Sequence, residues 1–363
     1  MIGPTLRSLL RRRRGVDPQL AVYGAYWFRG YSCNPRAIYE KARELVPECR
    51  GVWVVRRNAA ATIPPGVEHV VARSPEYFDV IARAKYLINN VNFPNHLVKR
   101  EGSVHVQTHH GTPLKFMGLD LRRSETKGRG MDFDALLRRV ARWDYSISSN
   151  RHSTEIWERV YPGTYETLEA GYPRNDRLAA ATAADVERAR TALRIAPGQT
   201  AVLYAPTHRE YENGYVPRID LARLAAALGP DHVVLVRLHY FYDPEPLVGA
   251  QLLDVASHPS VEELCLAADV LLTDYSSIMF DYAVLDRPIV IHAPDWEEYR
   301  ARRGVYFELL DEPPGAVART QDEVVEALIA RADGDRAAFR ARFCALDDGR
   351  AAERVVRRVW ELG

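Results

Sequence analysis

Residues 273–299, TDYSSIMFDYAVLDRPIVIHAPDWEEY, decide the fold. The apolar run Asp269–Thr273 leading into them reads as a buried parallel strand, and Asp274-Tyr275 turns the chain. Ser276 and Ser277 stand where a helix should begin, and Ile278 to Leu285 continue with helical spacing. Pro288–Ile291 then makes the next strand. A strand, a hydroxyl-rich turn and a helix N-terminus together form an anion site, because the first helical N–H groups lack intrahelical partners and the helix dipole favours negative charge. The plainer alternative is that the two serines only cap the helix.

Working outward, strands and helices alternate along the whole chain. Toward the N-terminus, strands are predicted at Leu20–Tyr23, Gly51–Val55, Tyr86–Val91, Val104–Thr108 and Tyr145–Ser148, with a short one near Glu169. Between them Asn34 is read as the cap of a helix running to Leu45, with Pro35 at its first position, and Ser74 opens another. The turn-rich Gly171-Tyr-Pro-Arg-Asn175 falls near mid-chain, after which the pattern restarts with strands at Ala201–Ala205, Val233–Leu238 and Leu252–Val255. A helix at 261–268 is opened by Ser260 with Glu263 as a capping box. Such alternation predicts parallel sheets covered on both faces. The expected division is a Rossmann-like domain over 1–176, a second over 177–345, and a final helix in 346–363.

A net charge of +1 over 363 residues offers no global field for nucleic acid. Cys33, Cys49, Cys265 and Cys344 are dispersed without metal or redox spacing, which fits a reducing compartment. No apolar run approaches the ~18 residues of a transmembrane helix. Arg11–Arg14 is followed by no apolar segment of the signal-peptide kind.

Polar clusters follow several predicted strands: His109-His110-Gly111-Thr112-Pro113-Leu114-Lys115, Pro206-Thr207-His208-Arg209, Arg237 with His239, and Ser276-Ser277. Ligands of doubly wound sheets bind beyond the carboxyl ends of the strands, so four clusters from both halves on that edge point to one cleft. Each has a structural alternative. His110 and His239 suit turn or strand-end histidines bonded to carbonyls, Arg237 a structural ion pair, and Gly111 a turn that needs positive φ. Asp281, one helical turn past Ser277, suits a solvent-facing carboxylate. Trp27, Phe28 and Tyr31 are expected in the core, and Glu297-Glu298-Tyr299 at an exposed helix start.

Five motifs carry a family resemblance: QTHHGTPLKFMGLD (107–120), GYPRND (171–176), LYAPTHRE (203–210), VLVRLH (234–239) and LLTDYSSIMFDYAVLDRP (271–288). Together they resemble the CDP-glycerol glycerophosphotransferases, the teichoic-acid polymerases and primases of bacterial cell walls, over about residues 20–345. The chain departs from the family in having His109, and His208, where an aromatic is usual or frequent. The resemblance implies a GT-B architecture, α/β, with two Rossmann-like doubly wound domains facing a cleft and the last helix crossing back onto the first domain. It implies transfer of glycerol phosphate, or a related polyol phosphate, from CDP-glycerol or CDP-ribitol to a hydroxyl of a lipid-linked polyol-phosphate or saccharide acceptor, releasing CMP. By the same resemblance His110 is the general base, with Arg237 and His239 facing the pyrophosphate. Gly111, Thr112, Pro113 and Leu114 shape the loop toward the donor. Arg174, Pro206, Thr207, Leu238, Ser276 and Ser277 bind the donor, and Asp281 accepts from its polyol hydroxyls. An imidazole suits a base because its pKa lies near working pH.

No carboxylate pair with metal spacing is seen at the cleft, so no obligatory cofactor or protein-bound metal is expected, although a divalent ion can accompany a diphosphate. Residues 121–142 combine Arg122, Arg123, Lys127, Arg129, Arg138, Arg139 and Arg142 with Met131, Phe133, Leu136 and Leu137. This suits an interfacial helix on an anionic membrane surface, hence peripheral attachment at the cytoplasmic face, or simply a helix packed on its own domain. Two other functions stay open: a glycosyltransferase of the same architecture using a nucleotide sugar, and a non-catalytic nucleotide-binding relative.

Overall fold

The computed structural model describes residues 15–95, 97–124, 130–212, 214, 216–238, 247, 249–331 and 336–362. Two parallel sheets organise them. The first holds β1 (Asp17–Gly24), β2 (Arg50–Val55), β3 (His69–Val71), β4 (Ala84–Asn89), β5 (Val104–Gln107), β6 (Tyr145–Ser148) and β7 (Glu166–Glu169) in the order β3-β2-β1-β4-β5-β6-β7. The second holds β8 (Thr200–Ala205), β9 (His232–Val236), β10 (Leu252–Asp254), β11 (Val270–Thr273), β12 (Ile289–His292) and β13 (Ala316–Ala318) in the order β10-β9-β8-β11-β12-β13. Both are doubly wound, and strand order reverses between β1 and β4 and between β8 and β11, where such sheets open a crevice.

Both faces of each sheet are covered, so the strands read as continuous apolar runs. Tyr23 and Trp53 join one core and Val22 and Val52 the opposite one. Likewise Leu203 and Ile291 face one side of the second sheet while Val202 and Val290 face the other. The expected boundary at 176/177 falls between the sheets. Helix Ala351–Val359 returns to the first sheet, packs on helix Cys33–Leu45, and buries Val355, Val356 and Val359 in its core. The Asp176 carboxylate accepts from the N–H groups of Ala351 (2.8 Å) and Ala352 (2.7 Å), capping that helix from the Gly171–Asp176 motif.

Several sequence expectations change. β3 and β13 were not anticipated; each is a three-residue edge strand with too few residues to show a period. Asn34 does not cap its helix: Ser32 holds that position, and the fully buried Asn34 side chain bonds elsewhere. Only half of the Ser260 capping box forms, because Ser260 accepts from Glu263 N while the Glu263 carboxylate pairs with Arg177 at 2.7 Å. Trp27 is not core but 46% exposed, whereas Tyr299 is fully buried. Helix Phe133–Val140 turns Leu136 and Val140 onto Trp143, Leu119 and Tyr165, whereas Met131 of the same stripe stays exposed. Lys127 and Arg129, like Arg11–Arg14, lie outside the described residues. Among the described residues no helix is long and apolar enough to cross a membrane.

Candidate functional site

The site begins where β1 ends. Beyond Gly24 the chain passes through Tyr26, Trp27 and Phe28 at φ 46°, 55° and 69°. Left-handed backbone costs roughly 1–2 kcal/mol per side-chain-bearing residue, so neighbours must hold it. Tyr26 N donates to Asn90 Oδ1 (2.9 Å), and Arg56 donates from N to Phe28 O (2.7 Å) and from Nε to Trp27 O (2.9 Å). The turn sets the Tyr26 ring edge-on to His110, with centroids 5.5 Å apart.

His110 follows β5 across the switch point. Its Nδ1 lies 2.9 Å from Asn90 O, which assigns the proton to Nδ1 and leaves the Nε2 lone pair available. Burial, aided by the charges of Arg174 and Lys115 and opposed by the Asn90 hydrogen bond, pulls its pKa down to about 4. His109, the departure from the family pattern, is itself used as an aromatic. Its ring stacks on Trp157 at 4.3 Å and 8°, its Nε2 lies 3.0 Å from Ser146 Oγ, and burial lowers its pKa to about 3.

Gly111 brings the two domains into contact. It sits at φ +152°, and a Cβ placed there would lie 2.9 Å from Ser277 Oγ and 3.5 Å from Arg174 Nη2. The Arg174 guanidinium, 6% exposed, grips Asp281 from Nε (3.3 Å) and Nη2 (2.5 Å). Burial works against its charge, but the Asp281 carboxylate outweighs that and holds Arg174 firmly protonated. Asn34 ties this pair to the histidine loop: its Nδ2 donates to Thr108 O and His109 O (both 3.0 Å), and its Oδ1 accepts from Arg174 N (3.1 Å). Tyr172 OH donates to Gly111 O at 3.1 Å.

In the second domain, the loops after β8 and β11 are clamped together. Asp274 accepts from Thr207 N (2.8 Å) and Arg209 Nη1 (2.9 Å), and Arg209 also binds Asp295 through Nε (2.7 Å) and Nη2 (2.8 Å). Tyr275 OH donates to Asp295 at 2.9 Å. Pro206 is half-buried; Thr207 Oγ1 is buried with no partner among the described residues. Ser277 precedes helix Ile278–Tyr282 without making a side-chain cap, while Ser276 Oγ accepts a long bond from Ile278 N (3.5 Å). The helix is only five residues long, which reduces the dipole contribution expected from it. Arg237 donates from Nη1 to Val255 O (3.1 Å) and His258 O (3.0 Å). Tyr26 and Glu262 lie within electrostatic reach of both Arg237 and Arg174.

The other expected site residues that the structure describes have partners within the chain. Asp281 accepts from Arg174 Nε and Nη2, the charged partner that a buried carboxylate needs. Thr112 Oγ1 is buried against Ser149 Oγ (3.0 Å) and Asn150 Nδ2 (3.1 Å). Pro113 O lies 2.9 Å from His152 Nε2. Leu114 crosses into the core of the second domain, where Leu114 O accepts from Tyr306 N (2.8 Å), making it an interdomain anchor. Leu238 is buried in the second sheet's core. His239 lies outside the described residues. Tyr26, Asn34, Asn90 and the Arg209–Asp274–Asp295 clamp were not anticipated. An Asn-Asn pair ending a strand and acids flanking an arginine loop were the available signals, but neither spacing names its partner.

The fold and these converging loops define a GT-B architecture whose polar residues from both domains meet at the cleft. The family model described as CDP-glycerol:poly(glycerophosphate) glycerophosphotransferase matches residues 6–361, and the chain belongs to that family. It is 33% identical over 99% of its length to a teichoic acid poly(glycerol phosphate) polymerase of Bacillus subtilis, of which it covers 51%. The chain thus spans about half the length of that relative. It is 31% identical to a teichoic acid glycerol-phosphate transferase of Staphylococcus aureus, over 95% of this chain and 94% of the relative. A structure of the wall teichoic acid polymerase TagF, from a variant soaked with CDPG, superposes with TM-score 0.89 at 32% identity, covering 98% of this chain and 92% of that one.

Proposed function

We propose that the chain transfers glycerol phosphate from CDP-glycerol to a hydroxyl of a polyol-phosphate-bearing acceptor. The observation that carries this reading is the His110 Nε2 lone pair beside the Gly111–Ser277 contact, where the domains meet. Nε2 takes the acceptor hydroxyl proton as that oxygen attacks the distal phosphorus; a P–O bond forms, the P–O bond to CMP breaks, and CMP leaves. Ser276, Ser277 and Thr207 supply hydroxyls to the diphosphate. Arg237 offsets the charge gathering on the leaving CMP, where electrostatic stabilisation acts on the transition state. Arg174 serves at one remove, holding Asp281 and hence Ser277 in place.

The diphosphate also serves the base. A His110 pKa of about 4 is low for general-base work at neutral pH; bound negative charge raises it toward the working range. CDP-ribitol is a second donor of the same chemistry. The acceptor is placed at the cytoplasmic face of a membrane as a lipid-linked chain, which flotation with anionic vesicles tests. No protein-bound metal is invoked; stoichiometric metal retained by the dialysed, donor-free chain would contradict that.

Incubation with CDP-glycerol and CDP-ribitol plus a short lipid-like acceptor, read by mass spectrometry, tests the reaction. An acceptor heavier by one polyol phosphate, with stoichiometric CMP, is expected. Release of UDP or GDP from a nucleotide sugar instead would overturn the reading in favour of glycosyl transfer.

A further inference from the structure

A cavity of about 770 Å³ opens on the first domain, lined mostly by residues that end or follow β1, β2, β3 and β4, and no step above uses it. Its walls are the left-handed turn after β1 and the segment following β4, the two stretches whose Tyr26 and Asn90 hold His110. Four guanidinium-bearing residues line it, Arg56, Arg57, Arg73 and Arg139, and no carboxylate does. Two of the four are braced: Arg56 Nε donates to Trp27 O and Arg139 Nη1 to Asn95 Oδ1 (3.1 Å). Arg57 and Arg73 are exposed and form no ion pair among the described residues. With Asp132 the one carboxylate reaching Arg139 and none reaching into the lining, the wall is positively charged, which an anion would complement.

The backbone adds a second sign, part of it in the turn that also positions Tyr26. Trp27, Phe28 and Arg73 all line this cavity and all hold positive φ (55°, 69° and 69°). Strained backbone of this kind persists where surroundings over-determine it and clusters at ligand sites. Asn92 and Asn95 add amide groups suited to hydroxyls, and the floor is aromatic, from Phe28, Tyr77 and Phe93.

We propose that this cavity is a phosphodiester subsite that holds the polyol-phosphate acceptor and leads its terminal hydroxyl to His110. The inference rests on the reaction proposed above and deepens it. Guanidiniums bind phosphate oxygens through planar, charge-assisted hydrogen bonds. A chain with one phosphate per repeat and free hydroxyls between fits arginines interleaved with asparagines. The same phosphodiester chemistry occurs in an anionic lipid headgroup.

The test is binding without donor. A short soluble oligo(glycerol phosphate) is titrated calorimetrically into the wild-type chain, Arg57→Glu/Arg73→Glu and Arg57→Gln/Arg73→Gln, with phosphatidylglycerol vesicles as a parallel sedimentation arm. The expected result is weaker oligomer binding, by roughly tenfold per guanidinium lost, with the Glu pair weaker than the Gln pair. Loss of vesicle binding with oligomer binding unchanged would assign the subsite to a lipid headgroup phosphodiester. Wild-type affinity of both double variants for both ligands would overturn the proposal. Because no donor is present, that failure would leave CMP release from CDP-glycerol standing, and failure of CMP release would leave this measurement standing.

Discussion

Gly111 of the first domain lies directly against Ser277 of the second, so close that a Cβ on Gly111 would stand 2.9 Å from the serine Oγ. The contact joins the loop of the proposed base to the loop of the proposed phosphate site. It also explains a glycine at this position twice over, since φ is +152° there and any side chain would press on the partner domain.

Gly111→Ala is therefore expected to lower CMP release by tenfold or more, while the melting temperature falls only modestly because the loop is at a domain edge. Ser277→Ala added to it removes the nearest atom. The double variant is expected to recover part of the CDP-glycerol binding lost in Gly111→Ala, the φ strain and the Ser277 Cβ at 3.2 Å remaining. Wild-type kinetics in Gly111→Ala would remove the close-approach argument.

The Arg174–Asp281 pair spans the domains with both side chains buried. Removing one partner of such a pair costs about 3–5 kcal/mol because the other is left as an uncompensated charge. Arg174→Met is expected to destabilise more than Arg174→Met/Asp281→Leu, measured by urea unfolding. If Asp281→Asn raised only the KM for CDP-glycerol and left stability untouched, Asp281 would be a donor ligand rather than a structural partner.

The ring of His110 should stay neutral well below the usual histidine range, since its pKa is drawn down to about 4 in the free chain. Nitrogen NMR is expected to show the Nδ1–H tautomer at pH 6, and titration on adding CDP-glycerol should move the pKa upward. A free-chain midpoint near 6.5 would contradict the buried, carbonyl-bonded geometry.

Asp347 sits where the returning chain passes the Gly171–Asp176 motif, accepting from Tyr172 N and Asn175 Nδ2 (both 3.3 Å). Burial and the negative Asp281 raise its pKa to about 7. The folded state thus keeps a proton that the unfolded chain releases near pH 4. Its contribution is fully present below about pH 4 and is lost as pH rises to about 7. Asp347→Asn should flatten that part of the stability profile and melt higher than wild type at pH 8; an unchanged profile would contradict the assignment.

Much of the fold was legible because buried parallel strands are long apolar runs and the loops after them are polar. β8 and β11 stood out for that reason, and β3 and β13 did not, being three-residue edge strands. At the site, the sequence exposed residue types at strand ends but not their partners. Asp281 looked like a ligand by helical spacing, and only three-dimensional proximity reveals Arg174 on it. Asn34 looked like a cap because Asn-Pro before an apolar run has that pattern, whereas its side chain holds Thr108, His109 and Arg174 together. Leu114 belonged to a motif read as donor-facing, and its apolar character placed it in the neighbouring core instead.

The most direct test of the reaction is CMP release from CDP-glycerol with acceptor present, compared between wild type and His110→Gln. The expected result is a 10²–10⁴-fold slower rate, with the CDP-glycerol dissociation constant changed little. A His110→Gln chain that released CMP at the wild-type rate would contradict the assignment of His110 as the group that takes the acceptor's proton.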